Sequence, residues 1–323
     1  MDRQGAVAQL RRAIKDFAQN YLADADRWCL GLSGGPDSLA LAAVAAALRP
    51  TTALIVDHGL QRDSAKVAET ARVQALSLGC QQAVVLPVRV GGPSGFRGGP
   101  EAAARTARYA ALLAHRDGPV LLAHTLDDQA ETVLLGLGRG SGARSIAGMR
   151  PHDPPWCRPL LGVRRTVTHA ACAELGLTPW QDPHNVDRRF TRARLRGEVL
   201  PLLEDVLSGG VAEALARTAT GLREDTDFID TVAAEVLPRV STGAALDAAA
   251  LAALPVAVRR RVIRGWLLAG GAIGLTDRQI RGVDTLITAW RGQGGVAVGS
   301  GLRGQRLFAG RCDGVLTLRP EVI

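Results

Sequence analysis

The sequence predicts an α/β protein: a parallel-sheet domain over residues 1–207, then a smaller, mainly helical and basic domain over residues 208–323. The first ground is residues 27–48, RWCLGLSGGPDSLALAAVAAAL, where a short apolar run stops at Gly34-Gly35 and an Ala/Leu/Val run follows. That order is buried strand, glycine turn, buried helix. Strand-like runs then recur at 52–56, 82–90 and 119–124, separated by helical patterns, and such spacing demands crossover connections and a parallel sheet. Beyond residue 207 the pattern changes to long charge-alternating helices, with strand-like pieces confined to the end.

Residues 5–20 place Val7, Leu10, Ile14 and Phe17 three or four apart, one face of a packing helix. Between the first strand (28–32) and its helix lie Ser33, Gly34, Gly35, Pro36, Asp37 and Ser38. The glycines let the backbone turn and face several N–H groups into one concavity, at the positive end of the helix. Ser33 and Ser38 add hydroxyl donors, whereas Asp37 would repel phosphate unless Mg²⁺ lies between them. A helix cap with a glycine turn is the simpler alternative; the strand–turn–helix context favours a metal-bound polyphosphate. The second strand ends in Asp57 and His58, which the parallel topology puts beside this loop.

An amphipathic helix over 64–78, closed by Gly79, precedes the third strand. The segment 91–100, GGPSGFRGGP, can bury no face and reads as a surface loop. Pro100 opens the next helix, on which Arg105 and Arg108 share a side with Glu101, either as an intrahelical ion pair or as contacts to phosphate or carboxylate. The fourth strand ends at His124; Asp127 and Asp128 then open a helix, with Glu131 three residues past Asp128. These acids are either dipole partners or, with His124, a cluster able to hold a metal, bind an ammonium or take its proton. Arg139 opens RGSG, a cationic glycine turn suited to phosphate, and 188–196 is dense in arginine around Phe190, which is either a solvated basic helix or a surface suited to single-stranded RNA.

Beyond residue 207 helices are expected over 211–236, 246–268 and 276–290, then strand-like segments within 294–318. With 323 residues and 47% hydrophobic content the chain can fill two cores. Five scattered cysteines without a Cys-x-x-Cys pair read as buried thiols of a cytoplasmic protein, and the longest apolar run is too short for a membrane span. Of the net charge of +8, eleven arginines against five acids from Asp247 onward carry +6, which points to a polyanionic partner, nucleic acid first.

SGGPDS resembles the pyrophosphate loop of the PP-loop ATP pyrophosphatases, a Rossmann-like class. Taken with VDHGL, EAAARTARY, AHTLDDQAETVLL, RGSG, AGM, RPLL and DPHNVDRRFTRARLRGEVLPLL, in that order, it is similar to the tRNA(Ile)-lysidine synthetases over about residues 30–203. The resemblance implies ATP-dependent ligation of free L-lysine to the wobble cytidine of tRNA(Ile) with a CAU anticodon, through an adenylated base, with release of AMP and pyrophosphate. It implies ATP held by Ser33, Gly34, Gly35, Pro36, Asp37 and Ser38 with Asp57 and His58, and Mg²⁺ on Asp37. Asp128 and Glu131 would serve lysine with His124 nearby, and Arg105, Arg108, Arg139, Arg192 and Arg194 would contact phosphate or tRNA. A tRNA 2-thiolation enzyme, a small-molecule ligase and a silent RNA-binding protein are the alternatives, and a homodimer is left open.

Overall fold

The computed structural model describes residues 5–59, 63–89, 99–140, 142–185, 187–301 and 304–322. Two compact units result: residues 1–134 with 148–217, and residues 135–147 with 218–323. In the first unit α1 (Ala6–Tyr21) buries Leu10, Ile14 and Phe17, as their spacing requires. β1 (Trp28–Gly31) leads through the loop to α2 (Pro36–Ala46), whose Leu39, Ala40, Leu41, Ala42, Val44 and Ala45 are all buried. A helix apolar on every side needs cover on every side, and α2 packs against α1 and, across the unit, α7 (Arg165–Glu174).

β2 (Thr51–Asp57), α3 (Ser64–Ser77), β3 (Gln82–Pro87), α4 (Gly99–His115), β4 (Val120–Leu121) and α5 (Leu126–Arg139) follow in alternation. The third strand is three residues shorter than its sequence pattern, and most of the expected loop at 91–100 lies outside the described residues. α6 (Ala143–Ile146), β5 (His152–Asp153) and β6 (Trp156–Cys157) precede α7. The sheet order is β3-β2-β1-β4-β6-β5, parallel throughout except for the β5–β6 pair. From β1 the chain winds outward through β2 and β3, then returns to β4 on the other flank of β1. That reversal opens a crevice at the carboxyl ends of β1 and β4. The unit closes with α8 (Thr191–Arg194), a π-helical turn at Leu195–Val199 and α9 (Leu200–Val206), with Leu200 packed against Leu126, Ala130 and Ala212.

α10 (Val211–Val240) runs into the second unit, which adds β7 (Ser241–Thr242), β8 (Ala245–Asp247), α11 (Ala248–Ala252), α12 (Val256–Ala269), β9 (Ala272–Ile273), α13 (Asp277–Thr288), β10 (Val296–Ser300), β11 (Gln305–Cys312) and β12 (Val315–Val322). Its strands join as one six-stranded sheet, β7-β8-β12-β11-β10-β9, with every pair antiparallel. This corrects the expectation of a mainly helical domain with a small terminal strand piece. The core, Leu246, Leu251, Val262, Ile263, Leu267, Val283, Leu286, Val298, Ala309 and Leu316, draws on sheet and helices alike. Three of the strands have only two or three residues, too few for alternation to register. The β11–β12 hairpin does carry a local signal, Asp313-Gly314, with both residues at positive φ as a tight hairpin turn requires.

Candidate active site

The loop from Ser33 to Ser38 closes on itself through its hydroxyls. Ser38 Oγ accepts from Ser33 N at 3.2 Å, lies 3.0 Å from Ser33 Oγ and donates to Gly35 O at 3.0 Å. Gly34 sits at φ +79°, where only glycine is unstrained, and Trp180 N donates to its carbonyl at 2.9 Å. Pro36 starts α2 at a position that needs no N–H. Asp37 turns toward α7: one oxygen accepts from Thr168 Oγ1, and the other lies 3.5 Å from Arg165 Nε. Burial raises the Asp37 carboxyl above its ordinary value, against the lowering effect of Thr168 and Arg165.

Arg165 joins this loop to the acids of α5. Its Nη2 donates to Asp128 Oδ1 at 2.7 Å, and its Nη1 lies 3.4 Å from Oε1 of Glu131, which is fully buried. Arg196 Nε donates to Glu131 Oε1 at 2.8 Å and Arg196 Nη2 reaches Asp128 at 3.4 Å; Arg192 Nη1 touches Glu131 Oε2 at 3.5 Å. Thr125 N and Oγ1 each donate to Asp128 Oδ2 at 2.8 Å. Burial raises the Asp128 carboxyl, but Arg165 first, then Thr125 and His124, outweigh it and hold it below the ordinary range. Two carboxylates are thus meshed with three guanidinium groups.

His124 follows β4, and its Nδ1 is buried without a hydrogen-bond partner. Desolvation pulls this imidazole down to about 3; Asp128 opposes the fall, and the charges of Arg158, Arg105 and Arg108 reinforce it. A ring held neutral at pH 7 is suited to hydrogen bonding with a polar ligand. Arg105 stacks on Tyr109 at 4.9 Å and donates to its hydroxyl at 3.2 Å, while Arg108 lies 5.8 Å from the same ring. Burial, with Arg105 beside it, pushes Arg108 below the usual arginine value. At the end of β2, Asp57 Oδ1 accepts from Gly59 N at 3.0 Å, and His58 Nδ1 is a second buried nitrogen without a partner. Buried polar atoms without partners at the carboxyl ends of β2 and β4 are what a polar ligand there would satisfy.

Most of the residues expected from the sequence therefore gather along the carboxyl edge of the sheet. Arg194 and Arg139 are placed otherwise: Arg194 pairs with Glu198 one turn on, at 3.2 Å, and Arg139 ends α5 within the second unit. Sequence reasoning missed Arg165, Thr168, Thr125 and Arg158. A signal existed for the first: Arg164 and Arg165 open α7, where the helix dipole disfavours cations, so nearby acids are required. Asp127 supplies one, accepting from Arg165 N at 2.7 Å and pairing with Arg164 at 3.3 Å. The cysteine expectation holds for Cys29, Cys80, Cys157 and Cys172, which are buried, and fails for Cys312, which is exposed on β11.

Residues 6–203 match the PP-loop domain model, and residues 246–312 match the TilS substrate binding domain model. Among solved structures the U34-tRNA thiolase NcsA from Methanococcus maripaludis superposes with a TM-score of 0.55 over 68% of this chain and 80% of its own, at 16% identity, which shows a shared fold alone. Fold and loop together define a PP-loop, ATP-binding enzyme. The tRNA(Ile)-lysidine synthase of Mycobacterium tuberculosis is 77% identical to it over the full length of both chains, and that of Nocardia farcinica 59% over 97% of this chain and 98% of its own. The chain belongs to the tRNA(Ile)-lysidine synthases, and it is an ATP-dependent tRNA-modifying ligase.

Proposed function

We propose that the chain joins the ε-amine of free L-lysine to C2 of the wobble cytidine in a tRNA(Ile) with a CAU anticodon. Cytidine O2 attacks the α-phosphorus of ATP, the bond to the β-phosphate oxygen breaks, and pyrophosphate leaves. The amine then attacks C2, the C2–O bond breaks, and AMP departs with that oxygen. Arg165 carries this reading: it touches both the loop acid Asp37 and the acids Asp128 and Glu131, which supports two half-reactions run side by side.

The loop N–H groups and the Ser33 and Ser38 hydroxyls bind pyrophosphate, with the N-terminus of α2 behind them. Asp57 and His58 face the adenosine, and the orphaned His58 Nδ1 supports a polar ligand there. Mg²⁺ needs only one or two protein carboxylates beside substrate phosphates. Asp37, in the first turn of the helix behind the loop, is the carboxylate that would hold the ion beside the phosphates. When bound, the ion neutralises polyphosphate charge. Arg105, Arg108 and Arg158, the cations facing His124, stabilise charge on the transferred phosphoryl group, and neutral His124 orients the base.

Lysine arrives as an ammonium, a fourth cation beside two carboxylates, so it exchanges with an arginine. Arg192 is the one to yield: its contact with Glu131 is 3.5 Å long and its side chain is 36% exposed. Once released, it can pair with a tRNA phosphate, as Arg194 on the same short helix and Arg139 can. Asp128 and Glu131 bind the ammonium and accept its proton. The thiolase alternative is not supported, since burial raises Cys29, Cys80 and Cys172 to about 11 and Cys157 to about 12, away from thiolate chemistry. No described helix is long and apolar enough to cross a membrane; a tRNA substrate favours work in the cytoplasm. Asp128→Asn and Glu131→Gln test the lysine site: each should keep ATP binding and lose lysine transfer, and transfer surviving in either would refute the assignment.

A further inference from the structure

The arginine run on α12 has two separate uses. Arg259 Nε donates to Asp284 Oδ1 at 2.6 Å, its Nη1 to Leu254 O at 3.0 Å, and Arg260 Nε to Asp284 Oδ2 at 2.8 Å, a buried structural pairing. Arg261 and Arg264, three residues apart on one helical face, turn instead to Asp230 of α10. Arg261 Nε lies 3.1 Å from Asp230 Oδ1 as an ion pair, yet this buried nitrogen has no hydrogen-bond partner. Arg144 of α6 takes Oδ2 of the same carboxylate. Among the described residues Arg264 makes neither a hydrogen bond nor a close ion pair; its charge interacts with Arg144, Asp230 and Arg261.

Arg261 and Arg144 therefore share one carboxylate, and Arg264 lies close enough to interact with all three charges, on a partly buried frame rich in positive charge. Burial first and Arg144 second hold Arg261 below the ordinary arginine value; the same two effects, with Arg261 added, act on Arg264. Arg223 Nη1 donates to Ala147 O at 2.8 Å, which ties the turn bearing Arg144 to α10. A tetrahedral oxyanion accepts from several directions at once and matches forked donors of this kind. Arg261 and Arg264 also lie within the segment that matches a substrate binding domain.

We propose that Arg144, Arg261 and Arg264 form a binding site for a backbone phosphodiester of the tRNA substrate, with Asp230 spacing the arginines until RNA arrives. This rests on the reading that tRNA is the substrate. The test measures equilibrium binding of unmodified tRNA(Ile) to the full chain, without ATP or lysine, across a sodium chloride series. Arg264→Gln should weaken binding about tenfold and flatten the log Kd against log salt slope by about one. Arg264→Lys should restore most of the slope. Because Arg264 makes no bond of its own, Arg264→Gln should melt with the parent. Unchanged affinity and slope in Arg264→Gln, or weaker binding with an unchanged slope, would overturn the site. A parent that binds tRNA with a steep slope but transfers no lysine would instead break the lysidine reading and leave the site standing.

Discussion

Arg165→Met tests the architecture of the catalytic edge. The side chain is 15% exposed and pairs with Asp37, Asp128 and Glu131, and methionine keeps its aliphatic stem while removing the charge. Removing one partner of a buried ion pair costs about 3–5 kcal/mol, because the remaining charges stay buried. For a folding unit of this size each kcal/mol is worth about 2–4 °C, so the melting temperature should fall by roughly 6–20 °C. The sign with pH is fixed. Asp128 is held below its ordinary value, so its stabilising contribution is present above the unfolded carboxylate range and lost as pH falls through the folded value. Without Arg165, Asp37 and Asp128 lose a lowering influence, and protonation relieves the repulsion. Calorimetric melts should show the gap to the parent widest at pH 7.5 and narrower at pH 5. A gap worth under about 1 kcal/mol, or equal at both values, would refute the buried-mesh account. Arg165→Lys should recover only part, since an ammonium cannot span three carboxylates as a guanidinium does.

Gly34→Ala forces an L side chain to φ +79°, with backbone strain of about 1–2 kcal/mol, so the KM for ATP should rise near tenfold in a pyrophosphate-release assay while tRNA binding stays unchanged. His124 is held neutral down to about pH 3 in the fold but takes a proton near 6.5 when unfolded, so the parent loses stability as pH drops below 6.5. His124→Gln should therefore gain about 2 kcal/mol relative to the parent between pH 7 and pH 5 in denaturant titrations. A proton NMR titration should find the His124 ring uncharged at pH 5.

Local signals made the first unit's sheet legible. Gly34-Gly35 after an apolar strand and Leu10, Ile14 and Phe17 at helical spacing sit where their spacing puts them, whereas the fourth strand is only Val120–Leu121 and His124 follows three residues past its end. The mesh partners were less legible, because Arg165 comes 37 residues after Asp128, and which arginine meets which acid is decided by how α7 and the π turn pack. The neutral state of His124 also depends on burial and on distant cations, which spacing does not encode. In the second unit the capping box of Thr276 and Gln279 marked the start of α13, whereas β7, β8 and β9 are too short to show a period. Their pairing with the β10–β12 meander, not local preference, makes them strands.

The central claim, that ATP activation and lysine attack share one edge of the first unit, is tested most directly by incorporation of labelled lysine into total tRNA with and without ATP. The account predicts ATP-dependent label confined to one tRNA with a CAU anticodon, lost in Asp37→Asn and in Asp128→Asn alike. Pyrophosphate release that depends on tRNA but leaves no lysine on it would contradict the account and move the nucleophile to another amine or to sulfur.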